Sequence, residues 1–107
     1  MITTTTHRVS GVTFNFGVYH PWGAWPSGGG LYVFCRWNRA TRQYDALYVG
    51  QCGSFQERLC GHERWDEAVA QGMTHALLTS VPGADLRNHY EEILIRDLSP
   101  PMNSVFC

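Results

Sequence analysis

The segment from Gly30 to Gly50 constrains the fold most, because two alternating stretches in it are joined by a short polar turn. In GLYVFCRW, residues 30–37, alternate side chains fall on opposite faces of an extended chain, with Tyr32 facing away from the apolar Leu, Val and Cys. After the polar residues 38–43, Tyr44, Ala46 and Tyr48 share one face of a second such stretch. The pair predicts an antiparallel hairpin that is able to place Tyr32 and Tyr48 on one side of a sheet.

The residues after this hairpin predict three helices and one further strand. Ser54 to Glu57 has the sequence of a capping box, which predicts a helix that carries Arg58 and His62 four residues apart on one face. A second helix is expected over about residues 64–71, a strand over residues 75–81 and a last helix over residues 84–98. Two consecutive prolines at 100 and 101 end that helix.

The last predicted helix separates two adjacent glutamates. At about 100° per residue, its large apolar side chains form one stripe. Glu91 falls near the edge of this stripe, whereas Glu92 points away from it. We therefore expect Glu91 to face the sheet and Glu92 to face water.

Together these elements predict an α/β fold of the α+β type. With 107 residues, the chain is long enough for one core. We expect a small three-stranded antiparallel sheet flanked by helices over residues 30–107, preceded by an N-terminal extension over residues 1–29. The extension contains an alternating segment, Val12 to Val18, that is able to add an edge strand, and we expect Thr3 to Thr6 to be disordered.

Composition indicates a cytoplasmic protein without a membrane partner. No apolar run reaches about 18 residues, and the N-terminal sequence MITTTTHR lacks the apolar region of a signal peptide. The four cysteines include no C-x-x-C pair and no compact framework of the secreted kind. Reduced thiols are the simplest interpretation.

The charge balance differs from that of a typical nucleic-acid-binding domain. Eight Arg, no Lys and nine acidic residues give a net charge of −1, so bulk attraction to a polyanion is weak. Local contacts would then have to come from arginines near the predicted hairpin, and the candidates are Arg36, Arg39 and Arg42. Trp22 and Trp25 have two interpretations: they stack on bases of a substrate, or they cover a small core, which we favour.

Six landmarks occur in one order along the chain. They are Gly30-Leu31-Tyr32, Tyr48-Val49-Gly50, Arg58, His62, Glu91 and Asn103. This set resembles the GIY-YIG nuclease superfamily over about residues 30–103, and the most specific stretches are YVGQCGSFQERLCGH and EEILIRDLSPPMN. Leu31 and Val49 stand where the family name has Ile, which preserves an aliphatic strand residue.

The resemblance implies a hydrolase, a metal-dependent endonuclease that cuts phosphodiester bonds in nucleic acid, with DNA favoured over RNA. Glu91 would bind one Mg²⁺ or Mn²⁺ that keeps most of its waters. Tyr32 would be the general base, with a phenol pKa lowered by nearby cations, and Tyr48 its partner, although these two roles are exchangeable. Arg58 would bind the scissile phosphate.

The remaining landmarks have supporting roles in this interpretation. His62 would hydrogen-bond a tyrosine or shuttle a proton, and Asn103 would orient a side chain or the substrate backbone. Gly30 and Gly50 would be required because a Cβ there would collide with neighbouring chain. The alternative function is a catalytically silent domain of the same family that binds nucleic acid or a protein partner.

Overall fold

The computed structural model describes residues 1–103 and contains one antiparallel sheet of five strands. The strands are β1 (Thr3–Val9), β2 (Val12–Tyr19), β3 (Gly30–Asn38), β4 (Gln43–Cys52) and β5 (His75–Ser80). Their order across the sheet is β1-β2-β5-β3-β4, so β1 and β4 are the edges. The predicted hairpin, now β3 and β4, and the predicted strand β5 are confirmed.

Three α-helices follow or interrupt the strands. They are α1 (Phe55–Leu59), α2 (Trp65–Ala70) and α3 (Ala84–Leu98), and a short 3-10 helix follows at Pro101–Asn103. The Ser54 side chain accepts a hydrogen bond from the Glu57 backbone N–H at 3.2 Å, which caps α1 as predicted. The longest of these helices, α3, has 15 residues, and none of the helices within residues 1–103 is both long and apolar enough to cross a membrane.

The predicted fold class is wrong. The sheet has five strands and curls into a half-barrel, and the described residues are 39% strand against 28% helix, rather than three strands flanked by helices. The N-terminal segment accounts for the difference, because β1 and β2 form a hairpin and β2 pairs with β5. Ser10 and Gly11 both have positive φ, as a tight two-residue hairpin turn requires.

Thr3 to Thr6 lie in strand β1 and are not disordered. Thr is β-branched and favours extended chain, and here β1 pairs along its whole length with β2. The alternating segment around Phe14 and Phe16 does form a strand, but an interior one, with β1 as the edge. The strands before residue 29 and the strands after it therefore belong to one sheet.

The sheet buries side chains on both faces. One face, covered by α3, holds a cluster that includes Phe16, Val33 and Leu94. The other, covered by α1 and α2, holds Tyr32 and Phe34 among others. A β-bulge opposite Phe34 and Cys35 shifts the register of β4, so that Tyr44 and Ala46 pack on the first face and Tyr48 on the second. The prediction that these three share a face is wrong for this reason.

Candidate active site

Tyr32 is the central side chain of the candidate site. It lies on β3, only 1% exposed, and its ring lies across Gly50 of the paired strand. A Cβ at Gly50 would collide with the Tyr32 ring, and a Cβ at Gly30 would collide with the backbone of Thr79 and Val81. Both glycines therefore allow close approach, which is what the sequence led us to expect of them.

Tyr48 and His62 join Tyr32 in one ring cluster. The Tyr32 and Tyr48 ring centroids are 6.2 Å apart, and the His62 ring lies 5.6 Å from each. The predicted placement of both tyrosines on one side of the sheet is confirmed. Phe34, directly opposite Tyr48, packs edge-on against His62 and closes the apolar side of the cluster.

His62 has a defined tautomer. Its Nδ1 accepts a hydrogen bond from the Arg64 backbone N–H at 3.0 Å, so in the neutral ring the proton is on Nε2. Nε2 lies 2.8 Å from the Tyr32 hydroxyl oxygen and therefore donates to it. Burial, with a smaller effect of Arg58, lowers the pKa of His62 to about 4, so the ring is neutral near pH 7. These bonds favour an orienting role over a proton shuttle.

Arg58 contacts the cluster, but its placement relative to His62 differs from the predicted one. Helix α1 ends at Leu59, so Arg58 and His62 do not share a helical face, and the prediction that they do is wrong. Gly61, with a φ of 79°, turns the chain after the helix and returns His62 to the sheet. Arg58 interacts with the Tyr32 hydroxyl and favours its ionised form.

Glu63 is a site residue that sequence reasoning missed. Both of its carboxylate oxygens accept hydrogen bonds from the Arg58 guanidinium, at 2.5 and 2.8 Å. This two-pronged pairing holds the pKa of Glu63 at about 2 and raises the pKa of Arg58. A spacing of five residues across a helix end has no regular periodicity, so no sequence pattern points to the pair.

Arg64 is a second missed residue. Its guanidinium lies 5.3 Å from the centroid of the Tyr48 ring, within the range of a cation–π contact. It also donates to the Met102 carbonyl at 2.9 Å and pairs with Glu67 at 3.0 Å. Two cations, Arg58 and Arg64, thus flank the tyrosine cluster, and each is paired with a glutamate, Arg58 with Glu63 and Arg64 with Glu67.

The protein's own surroundings raise the pKa of both tyrosines, and the lowered pKa expected beside a metal ion and an arginine stays a prediction. Burial raises the pKa of Tyr32 well above its usual value, with Tyr48 adding to this, and the opposing effect of Arg58 is smaller. Burial also raises the pKa of Tyr48, although Arg58 and Arg64 both counteract it. Both phenols are therefore neutral near pH 7 in the protein alone.

Glu91 lies on α3 beside strand β4. It is partly buried, and its carboxylate accepts a hydrogen bond from the Gln51 side-chain amide at 3.2 Å. It is close enough to Tyr48 to contribute to the raised pKa of that phenol. Glu92 is exposed, as the helical angles predicted, and it pairs with Arg96 one turn further along. The structure therefore brings Glu91, and not Glu92, to the edge of the cluster.

The donors available to a metal ion are few. No group of three His, Cys, Asp or Glu side chains within residues 1–103 could hold one. Two carboxylates, Glu91 and Glu63, lie near the tyrosines. Glu63 is held by the Arg58 guanidinium, which leaves Glu91 as the candidate ligand. A single carboxylate fits Mg²⁺, which keeps several waters and often completes its shell with substrate phosphate oxygens, and does not fit a tightly held structural ion.

Asn103 orients protein backbone. Its side-chain oxygen accepts from the Val49 N–H at 2.7 Å, and its side-chain nitrogen donates to the Val49 carbonyl at 2.9 Å. It therefore pairs with the outer edge of β4 next to Tyr48 and satisfies backbone groups that an edge strand leaves open. The segment after α3 is tied to the site through this residue.

The other candidate contacts lie elsewhere. Arg36, Arg39 and Arg42 are near the turn of the β3–β4 hairpin, at the opposite end of β3 from Gly30, and Arg36 pairs with Asp45 at 3.4 Å. Trp25 packs against Tyr19 and Trp65 and helps to cover the core, as the favoured interpretation predicted. Trp22 does not, because it is 79% exposed and stacks on His20.

Comparison with other proteins assigns no family to this arrangement. No protein-family model, curated protein or solved structure matches the chain. The site itself consists of two tyrosines, a buried neutral histidine, two arginines and, nearby, the carboxylates of Glu63 and Glu91.

Proposed function

We propose that this chain is a divalent-metal-dependent endonuclease of the GIY-YIG type, which hydrolyses phosphodiester bonds in nucleic acid and preferentially in DNA. The observation that carries the proposal is the convergence of Tyr32, Tyr48, Arg58 and His62 in one cluster, with Glu91 at its edge. These residues are distant in sequence, and packing alone has no need to bring two cations and a carboxylate to a tyrosine pair.

The cluster matches the demands of phosphodiester hydrolysis. The reaction needs an oriented water, positive charge for the transition state and assistance to the leaving oxygen. Because His62 donates to the Tyr32 oxygen, the phenol proton is free to point elsewhere, toward an attacking water or a phosphate oxygen. Arg58 supplies a planar fork suited to a phosphate, once Glu63 releases it.

Glu91 would hold the metal ion, which when bound supplies positive charge and lowers the pKa of a coordinated water. This chemistry removes the need for an ionised tyrosine. Tyr32 then orients the water as a neutral phenol, with His62 fixing its direction. Tyr48 supports the phosphate side of the site, where Arg58 and Arg64 act on it.

Phenylalanine substitutions distinguish the two tyrosines. We expect Tyr32→Phe to lose on the order of a hundredfold in single-turnover cleavage rate, because its hydroxyl links His62 and Arg58. Tyr48→Phe should retain partial activity, since its ring contacts with Phe34 and Arg64 survive. Thermal unfolding of both variants controls for stability. A larger rate loss in Tyr48→Phe than in Tyr32→Phe would mean that the roles of the two tyrosines are reversed.

The charge balance predicts weak salt dependence. With a net charge of −1 and Arg58 and Arg64 near the cluster, only a few phosphates are contacted. We expect the slope of log K against log salt to be on the order of −2 to −4, measured by titrating labelled DNA. A slope near −10 would mean that an additional recognition surface, such as one formed by an oligomer, binds the backbone.

One observation favours a catalytically silent binding module as the second candidate. Glu63 occupies both prongs of the Arg58 guanidinium, so the phosphate-binding group is already satisfied within the protein. If this pair is permanent, the chain binds nucleic acid or a protein without cutting. Gel-shift and cleavage assays on the same DNA, with Mg²⁺ and with EDTA, separate the two functions: a silent module gives a shift without product under both conditions.

A further inference from the structure

Five aromatic rings form a continuous stripe at the end of the sheet opposite Gly30. Trp22, His20 and His75 are stacked in turn, with centroid separations of 4.8 and 6.0 Å and interplanar angles of 10° and 26°. Tyr44 then meets His75 edge-on at 5.4 Å, and Trp37 meets Tyr44 at 4.8 Å. The stripe is outside the candidate active site.

The outer end of this stripe is open. Trp22 is 79% exposed although it is among the largest apolar side chains of the chain, and only one of its faces is used by His20. Burial lowers the pKa of His75, so its ring is neutral near pH 7 and stacks without a charge penalty. Three nearly parallel rings with one free face are a surface onto which a further planar ring can be added.

Positive charge and a cavity lie beside the stripe. Arg39 and Arg42 are exposed in the hairpin turn, and neither belongs to an ion pair among residues 1–103. Arg42, Trp37 and Tyr44 also line a cavity of about 560 Å³. That volume is within the range of small-ligand sites. Planar rings next to unpaired arginines complement a ligand that combines flat bases with phosphates.

We propose that this aromatic stripe and the adjoining arginine turn bind unpaired nucleotides, so that the substrate contains a single-stranded segment. The choice of nucleic acid as the occupant rests on the proposed function. Stacking provides affinity without many phosphate contacts, which suits a chain of net charge −1. Duplex DNA keeps its bases stacked on each other and offers no free faces along its length to the stripe.

The test measures binding without cleavage. Glu91→Ala protein in EDTA is titrated, by fluorescence anisotropy, into a labelled 15-nucleotide single strand, the matching blunt duplex and an abasic strand of the same length. We expect the single strand to bind at least tenfold more tightly than either of the others. Equal binding of all three overturns the inference. A single-stranded RNA of the same sequence separates DNA from RNA, and binding of either strand above the duplex supports stacking.

Substitutions in the same background locate the binding surface. Trp22→Ala and Arg42→Ala should each weaken single-strand binding, Trp22→Ala by about tenfold or more. Leu86→Ala and Arg96→Ala are the matched controls, because both residues are exposed on α3 and neither belongs to the stripe. Equal affinities of Trp22→Ala and Leu86→Ala overturn the inference. Trp22 is exposed and outside the strands, so its removal leaves the fold intact.

The outcomes separate this inference from the proposed function. Cleavage of a blunt duplex as fast as of a single strand overturns the inference and leaves the nuclease activity standing. Single-strand binding that depends on Trp22, in a protein that cuts nothing, supports the inference and removes the nuclease proposal.

Discussion

Replacement of Glu91 by alanine should abolish cleavage while leaving the protein folded. Glu91 lies at the edge of the tyrosine cluster, whereas the other nearby carboxylate, Glu63, is held by Arg58. No group of three His, Cys, Asp or Glu side chains within residues 1–103 offers another site for a metal ion. Its one hydrogen bond, from Gln51, is partly exposed, so we expect the free energy of unfolding to change by about 1 kcal/mol or less. The measurements are the cleavage rate in Mg²⁺ and thermal unfolding.

Glu92→Ala is the matched control for this variant. Glu92 is the next residue of α3, is exposed, and pairs with Arg96 on the helix surface. Pairs of this kind contribute about 0.5 kcal/mol or less. We expect wild-type cleavage by Glu92→Ala. If Glu91→Ala also cuts at the wild-type rate in Mg²⁺, metal binding by Glu91 is wrong.

The second large effect concerns the shape of Arg58 more than its charge. Arg58→Lys keeps the positive charge but loses the planar fork that binds two oxygens at once. We expect a rate loss on the order of a hundredfold or more. Single-turnover kinetics at saturating substrate measure this loss, and Arg96→Lys, at an exposed position of α3, is the control. Near-normal turnover of Arg58→Lys would show that Arg58 is a surface charge and does not bind the phosphate.

Glu63 refines the interpretation of that result. Because its carboxylate holds both prongs of Arg58, Glu63→Gln should release the guanidinium for the phosphate and increase kcat/KM. Glu63 is largely exposed, so the substitution should cost little stability. A decrease as large as that of Arg58→Lys would mean that Glu63 positions Arg58 for the reaction instead of competing with the substrate.

Periodic segments could be predicted from the sequence. The hairpin from Gly30 and the helix from residue 84 to 98 follow from alternation, helical angles and the prolines that end the helix. The same periodicities placed Tyr32 and Tyr48 on one side of the sheet and separated Glu91 from Glu92. These outcomes depend on the register within one element or between two adjacent strands.

Non-local pairing could not be predicted. The N-terminal hairpin joins the sheet through the pairing of β2 with β5, which are about 60 residues apart in sequence. The local sequence indicates that a segment favours extended chain, but it does not indicate which distant strand that segment pairs with. The bulge at Leu47 and the early end of α1 at Leu59 likewise leave no periodic signal. For the same reason the Arg58–Glu63 pair and the contact of Arg64 with Tyr48 were missed.

The nuclease proposal is tested most directly by incubating the wild-type protein with supercoiled plasmid, single-stranded DNA and RNA, each with Mg²⁺, Mn²⁺ or EDTA. With either metal ion we expect shortened single-stranded DNA, slower nicking of the plasmid and slower cleavage of RNA, and in EDTA we expect intact nucleic acid. If folded protein that binds the single strand leaves every substrate intact in Mg²⁺ and in Mn²⁺, the proposed activity is contradicted.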